Sequence, residues 1–215
     1  MRRLRKRIAG SSRFCQSLLT LRAYGLRMRL FIAVELGEEV RGRIAVELNS
    51  LQRMAPDAKW VRVESMHVTL AFLGYLPEDK VPAIRAAIEK VAATSHPLSL
   101  QARGLGSFGS SRRPRVLWVG LHGEVELLAQ SQHRLEDELV PLGYQPEERA
   151  FNPHLTLARA RNPSGDAKLL RCVEYGRDLD FGRAQIDRIV LFRSDLSPKG
   201  ARYTALHESR FPNDQ

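Results

Sequence analysis

The strongest constraint in this sequence is an internal repeat. His67-Val68-Thr69-Leu70-Ala71 returns 87 residues later as His154-Leu155-Thr156-Leu157-Ala158. Each copy follows the same run: an amphipathic segment of helix length, a linker containing proline, then the His-apolar-Thr-Leu strand. Ahead of the first copy, Val40, Ile44, Leu48 and Leu51 recur at helical spacing across 38–54, and Pro56-Asp57 breaks the pattern. Ahead of the second, Leu128, Leu135 and Leu139 mark a helix closed by Pro141 and Gly143. A period this long and this imperfect does not suit a solenoid. It suits two similar lobes that face one another.

The remaining pattern mixes strands and helices. β-Formers over 29–35 give a first strand, 60–63 a short extended piece and 66–73 a strand. Pro77-Glu78-Asp79 opens a helix whose inner face is Val81, Ile84, Ile88 and Val91. Strands are expected at 97–103 and 115–121, separated by a Gly/Ser/Arg-rich loop, and again at 154–159, 187–193 and 202–207.

Charge is unevenly spread. The formal net charge is +10, yet residues 1–29 hold nine basic and no acidic side chains, which leaves 30–215 at +1. The basic character therefore belongs to a leader, and any nucleic acid bound by the remainder must be held at a local site. Three readings fit residues 1–27: an Arg-rich targeting segment, a loose or RNA-binding arm, or a start assigned upstream of a natural one at Met28. A secretory signal fits worse, because Gln16 and Arg22 interrupt the apolar stretch. Residues 28–215 are then expected to form a single bilobal domain. An apolar fraction of 43% supports a core, and no run approaches the ~18–20 apolar residues of a membrane span. Cys15 and Cys172 cannot frame a disulfide scaffold. A cytoplasmic monomer without membrane contact is the expectation.

Alternation along a strand puts residues i and i+2 on one face. Each motif thus offers an imidazole and a hydroxyl side by side: His67 with Thr69, His154 with Thr156. Brought together, two imidazoles and two hydroxyls suit a phosphodiester. One imidazole removes a proton from water, the other protonates the departing alkoxide, and the hydroxyls donate to oxygens where charge grows. No cofactor or metal is needed. A single His-x-Thr is commonplace in strands; two at equivalent places in a repeat are not. Zinc would require a third protein ligand, and none stands in ligand spacing.

Other features carry less. Gly104-Leu105-Gly106-Ser107-Phe108-Gly109 matches G-x-G-x-x-G, but a dinucleotide fingerprint must open a helix, and Ser110-Ser111-Arg112-Arg113-Pro114 does not. Arg112, Arg113 and Arg115 read as a solvated loop rather than as phosphate contacts at a cleft rim. His96, His122, His133 and His207 lack the repeated context, and Cys172 has no base in a recognisable motif.

The sequence resembles the 2H phosphoesterase superfamily, within the RNA 2′,3′-cyclic phosphodiesterase (2′–5′ RNA ligase-like) family. The resemblance is carried by Leu30-Phe31-Ile32-Ala33, His67-Val68-Thr69-Leu70-Ala71-Phe72-Leu73-Gly74, Arg115-Val116-Leu117-Trp118-Val119-Gly120, Phe151-Asn152-Pro153-His154-Leu155-Thr156-Leu157 and Arg202-Tyr203-Thr204. Asn152 departs from the pattern, where a histidine is more usual. The resemblance implies an α+β bilobal fold, two antiparallel sheets with flanking helices related by a pseudo-two-fold, with the site in the cleft between lobes. It also implies metal-independent opening of RNA 2′,3′-cyclic phosphate ends, or small cyclic nucleotides, to a 2′-phosphate. His67 would be the proton donor and His154 the proton acceptor, with Thr69 and Thr156 on phosphate oxygens. Arg202 would be a phosphate or base contact, and Phe151 a base-stacking or packing residue. The alternatives are the reverse ligation with an RNA 5′-hydroxyl, or a nucleotide-binding module with little catalysis.

Overall fold

The computed structural model describes residues 27–197 and 200–212. The basic segment expected at 1–27 lies, except for Arg27, outside the described residues. Nine strands and four α-helices occur among them: β1 (Arg27–Val34), α1 (Glu38–Met54), β2 (Lys59–Trp60), β3 (Val68–Pro77), α2 (Val81–Ala92), β4 (Leu98–Gly109), β5 (Pro114–Gly123), α3 (Val125–Leu139), β6 (His154–Arg159), α4 (Lys168–Tyr175), β7 (Asp180–Ile186), β8 (Arg188–Ser197) and β9 (Gly200–Arg210). No helix among the described residues is long and apolar enough to cross a membrane.

The strands form two antiparallel sheets. One has four strands in the order β3-β1-β8-β9; the other has five, in the order β2-β6-β5-β4-β7. The five-stranded sheet buries one face, whereas the four-stranded sheet is buried on both faces at its centre, where Phe31, Ala33, Val190 and Phe192 form a second, smaller cluster. In β5, Leu117 and Val119 are fully buried while Val116, Trp118 and Gly120 between them are not, the period of two that one-sided packing imposes.

Helices cover those buried faces by crossing between sheets. The helix α1 leaves β1 of the four-stranded sheet and packs on β7 and α4 of the five-stranded one. Its Val40, Ile44 and Leu51 are buried, and Glu38 and Glu39 in its first turn complement the helix dipole. The reciprocal move is made by α3, which leaves β5 and packs on α2 and β3. There Gln132 donates from Nε2 to the Leu70 carbonyl at 3.3 Å. One continuous apolar core joins both sheets, so the lobes are not separable units.

Three stretches differ from the sequence expectation. The glycine-rich segment 104–109 is not a loop: β4 runs through it to Gly109. A Cβ on Gly106 would stand 2.1 Å from the Trp118 ring, so glycine there makes room for an indole on the neighbouring strand. The chain from 160 to 186, left unassigned by periodicity, forms α4 and β7. The strand holding the first motif begins at Val68, placing His67 just before it.

Candidate active site

The uncovered faces of the two sheets meet where β3 and β6 approach one another. His67 enters from the turn before β3, and His154 opens β6. The two imidazoles are held alike. Nδ1 of His67 bonds the Ser65 carbonyl at 2.8 Å, and Nδ1 of His154 bonds the Asn152 carbonyl at 2.8 Å. A carbonyl can only accept, so Nδ1 carries the proton in each ring and Nε2 is left for a substrate. Two residues back along the chain, the same backbone device fixes the same tautomer twice.

Both motifs also carry the same irregularity. In the pairing of β3 with β1, Thr69 faces Ala33 and Ala71 faces Ile32, which leaves Leu70 as an extra residue. In the pairing of β6 with β5, Thr156 faces Trp118 and Ala158 faces Leu117, which leaves Leu157 over. A bulge of this kind shifts the alternation by one residue. Five residues after each histidine, the chain therefore returns to the uncovered face. In the first lobe that residue is Phe72, half exposed at 51%; in the second it is Arg159.

An aromatic wall stands behind each imidazole. The His67 ring lies 4.7 Å from Phe31 at 30° and meets Tyr203 edge-on at 5.2 Å. Phe31 in turn stacks on Phe192 at 5.1 Å. His154 meets Phe108 edge-on at 4.7 Å, and Trp118 backs both. Such contacts are each worth about 0.5–1.5 kcal/mol beyond burial, and they restrict how the imidazoles can turn.

Burial holds the pKa of both histidines below the ordinary 6.5, with the backbone carbonyls at Ser65 and Asn152 opposing it. Arg159 adds a second lowering influence on both rings. One guanidinium thus acts on imidazoles from the two lobes, which brings both into a single electrostatic site. Glu35 pulls the other way at His67 and is itself held by Arg41 at 2.6 Å. The Thr69 and Thr156 side chains are half-buried.

Arg202 is exposed on β9, opposite Asp195 of β8. Its neighbour Tyr203 packs on His67, so alternation turns Arg202 to the other face of the strand. Phe151 is half-buried and packs against the main core. Arg113 donates to the Gly165 carbonyl at 3.1 Å. The Cys172 thiol is buried, donates to the Leu51 carbonyl at 3.6 Å, and is pushed up to a pKa of about 11, which leaves little thiolate. Among the described residues, no three His, Cys, Asp or Glu side chains gather as metal ligands.

Arg159, Phe31, Phe108 and Tyr203 reach the site, although none of them was read from the sequence as a site residue. Strict alternation puts Arg159 on the face opposite His154; only the bulge reverses that. The repeat did hold one signal, since His-Val-Thr-Leu-Ala-Phe and His-Leu-Thr-Leu-Ala-Arg end on different chemistry at the same place. A cavity of about 340 Å³ also opens beside the second motif, bordered by Trp118, Gly120, His122, Asn152, Pro153 and Arg103.

Known proteins are similar to this chain in sequence and fold. The family model described as LigT-like phosphoesterase matches twice in succession, over 36–118 and 119–203, one copy for each half of the repeat. A relative from Aeropyrum pernix, named RNA 2′,3′-cyclic phosphodiesterase, is 35% identical over 170 residues, covering 78% of this chain and 94% of its own. One of the same name from Methanothermobacter thermautotrophicus is 30% identical over 185 residues, covering 86% and 100%. A crystal structure of a protein from Thermus thermophilus superposes with a TM-score of 0.73 at 30% identity, over 87% of this chain and 100% of that one. The chain belongs to the LigT-like phosphoesterase family, within the 2H superfamily.

Proposed function

We propose that this protein hydrolyses the 2′,3′-cyclic phosphate at RNA ends, leaving a 2′-phosphate. The observation that carries the proposal is the matched pair of imidazoles, each with Nδ1 bound to a carbonyl and each under the charge of Arg159. Relatives of 30–37% identity carry the name of that activity.

In this reading His154 Nε2 takes a proton from water as the oxygen attacks phosphorus. The bond from phosphorus to the 3′ oxygen breaks, and His67, protonated at Nε2, donates its proton to that oxygen. One proton enters at His154 and one leaves at His67, so the pair ends with its roles exchanged and resets through solvent. Thr69 and Thr156 donate to the non-bridging oxygens, and Arg159 offsets the charge that grows there. Each proton transfer contributes on the order of 10²–10⁴-fold in rate.

End-labelled RNA carrying a 2′,3′-cyclic phosphate, incubated with the protein in EDTA, tests this. The expected product co-migrates with the 2′-phosphate standard. A 3′-phosphate product, or turnover only after a metal is added, would contradict the reading.

A further inference from the structure

Arg159 has a neighbour of its own charge. In the two-residue pairing of β2 with β6, Lys59 stands directly opposite Arg159. Directly opposed residues of an antiparallel pair point to the same face, so Lys59 shares the uncovered face with Arg159, His154 and Thr156. Both cations are exposed. Like charges placed this way repel, at a cost to the sheet.

Nearby acidic groups do not relieve that repulsion. Asp57, two residues before Lys59, is taken by Lys168, and Arg161 donates to the Asp57 carbonyl at 3.0 Å. Arg62 pairs with Glu64 at 3.6 Å, and Arg41 pairs with Glu35 at 2.6 Å. Among the described residues, Lys59 and Arg159 have no carboxylate partner. Two adjacent cations left unpaired on a site face, beside Arg41, Arg62, Arg161 and Lys168 that are engaged, leave positive potential there for an anion that is not part of the protein.

The reacting phosphate must sit within hydrogen-bond reach of both Nε2 atoms. Lys59 begins from the strand beside β6, opposite its last residue, further from His154 than Arg159 is. The anion it meets is therefore a different one. We infer that Lys59, beside Arg159, forms a second phosphate subsite that takes the phosphodiester one nucleotide upstream of the cyclic end. The inference rests on the phosphodiesterase reading and makes the preferred substrate an RNA chain rather than a mononucleoside cyclic phosphate. A lysine on a short edge strand also deters edge-to-edge pairing of sheets, and the experiment separates that role from this one.

The full chain and its Lys59→Met and Lys59→Arg variants are compared on a nucleoside 2′,3′-cyclic phosphate and on a tetranucleotide ending in the same group. Lys59→Met is expected to lose about tenfold more kcat/KM on the tetranucleotide than on the nucleoside, through KM, the loss of one charge-assisted contact. The slope of log KM against log salt should become shallower by about 0.7, the value for one phosphate on a single strand. Lys59→Arg should retain the preference. A tetranucleotide with a neutral methylphosphonate at the upstream linkage should bind wild type and Lys59→Met alike. Equal losses on both substrates, no loss on either with altered self-association alone, or indifference of the wild type to the neutral linkage would each overturn the subsite. Anisotropy of a labelled tetranucleotide ending in 2′-phosphate reads the same contrast without turnover. Charge-dependent binding with no hydrolysis would thus fault the phosphodiesterase reading and leave the subsite standing.

Discussion

His67 and His154 are both buried enough to disfavour their charged forms, and the chemistry needs one of them charged. With both pKa values below 6.5, the state with one proton on the pair is most populated below pH 6.5. The profile of kcat/KM on a small cyclic nucleotide should therefore be a bell with its maximum below pH 6.5, falling as pH rises and the donor is lost. Arg159 lowers both values and Glu35 raises that of His67. Arg159→Met should move the whole bell to higher pH, and Glu35→Gln should move it lower. A profile that stays in place in Arg159→Met, or moves downward, would show that this guanidinium does not face both rings.

At the scale of the element, glycine separates packing from propensity. Gly42 lies exposed in the middle of α1, and a Cβ there meets nothing within 4 Å. Gly42→Ala should stabilise the protein by up to about 1 kcal/mol. Gly106 lies in β4 under the Trp118 ring, where the same added carbon would come to 2.1 Å. Gly106→Ala should destabilise by about 1–3 kcal/mol and lower turnover as well, because Trp118 and Phe108 form the wall behind His154. Thermal melts of the two variants check the opposite signs; equal shifts would contradict the packing described here. The same element shows why the sequence could be read only in part. The first three helices and the two motif strands follow from periodicity, since Val40, Ile44 and Leu51 do fall on one buried face. The glycine-rich run looked like a loop because Gly106 within it is explained by a tryptophan twelve positions away in sequence, on the next strand. The bulges at Leu70 and Leu157 were invisible for a similar reason: each is defined by its partner strand, and each moves Phe72 or Arg159 onto a face that alternation denies them. Periodicity did not register α4 and β7, whose amphipathic runs are short.

Across the whole molecule, the crossing of α1 and α3 ties the stability of one lobe to the other and makes the pair of motifs a single site. That site carries a stability cost in acid. His67 and His154, and outside the site His207 beside Glu89, have folded-state pKa values lowered from 6.5 by burial, so the unfolded chain binds more protons below that pH. Stability should be full above pH 6.5 and fall as pH drops through 6.5 toward the folded-state values. The melting temperature of a His67→Gln, His154→Gln double variant should fall less steeply over that range; an unchanged slope would place the protons elsewhere. The central claim is that the two lobes divide one reaction, with His67 as acid and His154 as base. Turnover of a nitrophenyl phosphodiester tests it most directly, because so good a leaving group hardly needs a proton. On a cyclic phosphate, His67→Ala and His154→Ala should each lose at least about 10²-fold in kcat. On the nitrophenyl ester, His67→Ala should recover most of that loss while His154→Ala stays slow; equal recovery by both, or recovery by His154→Ala alone, would contradict the assignment.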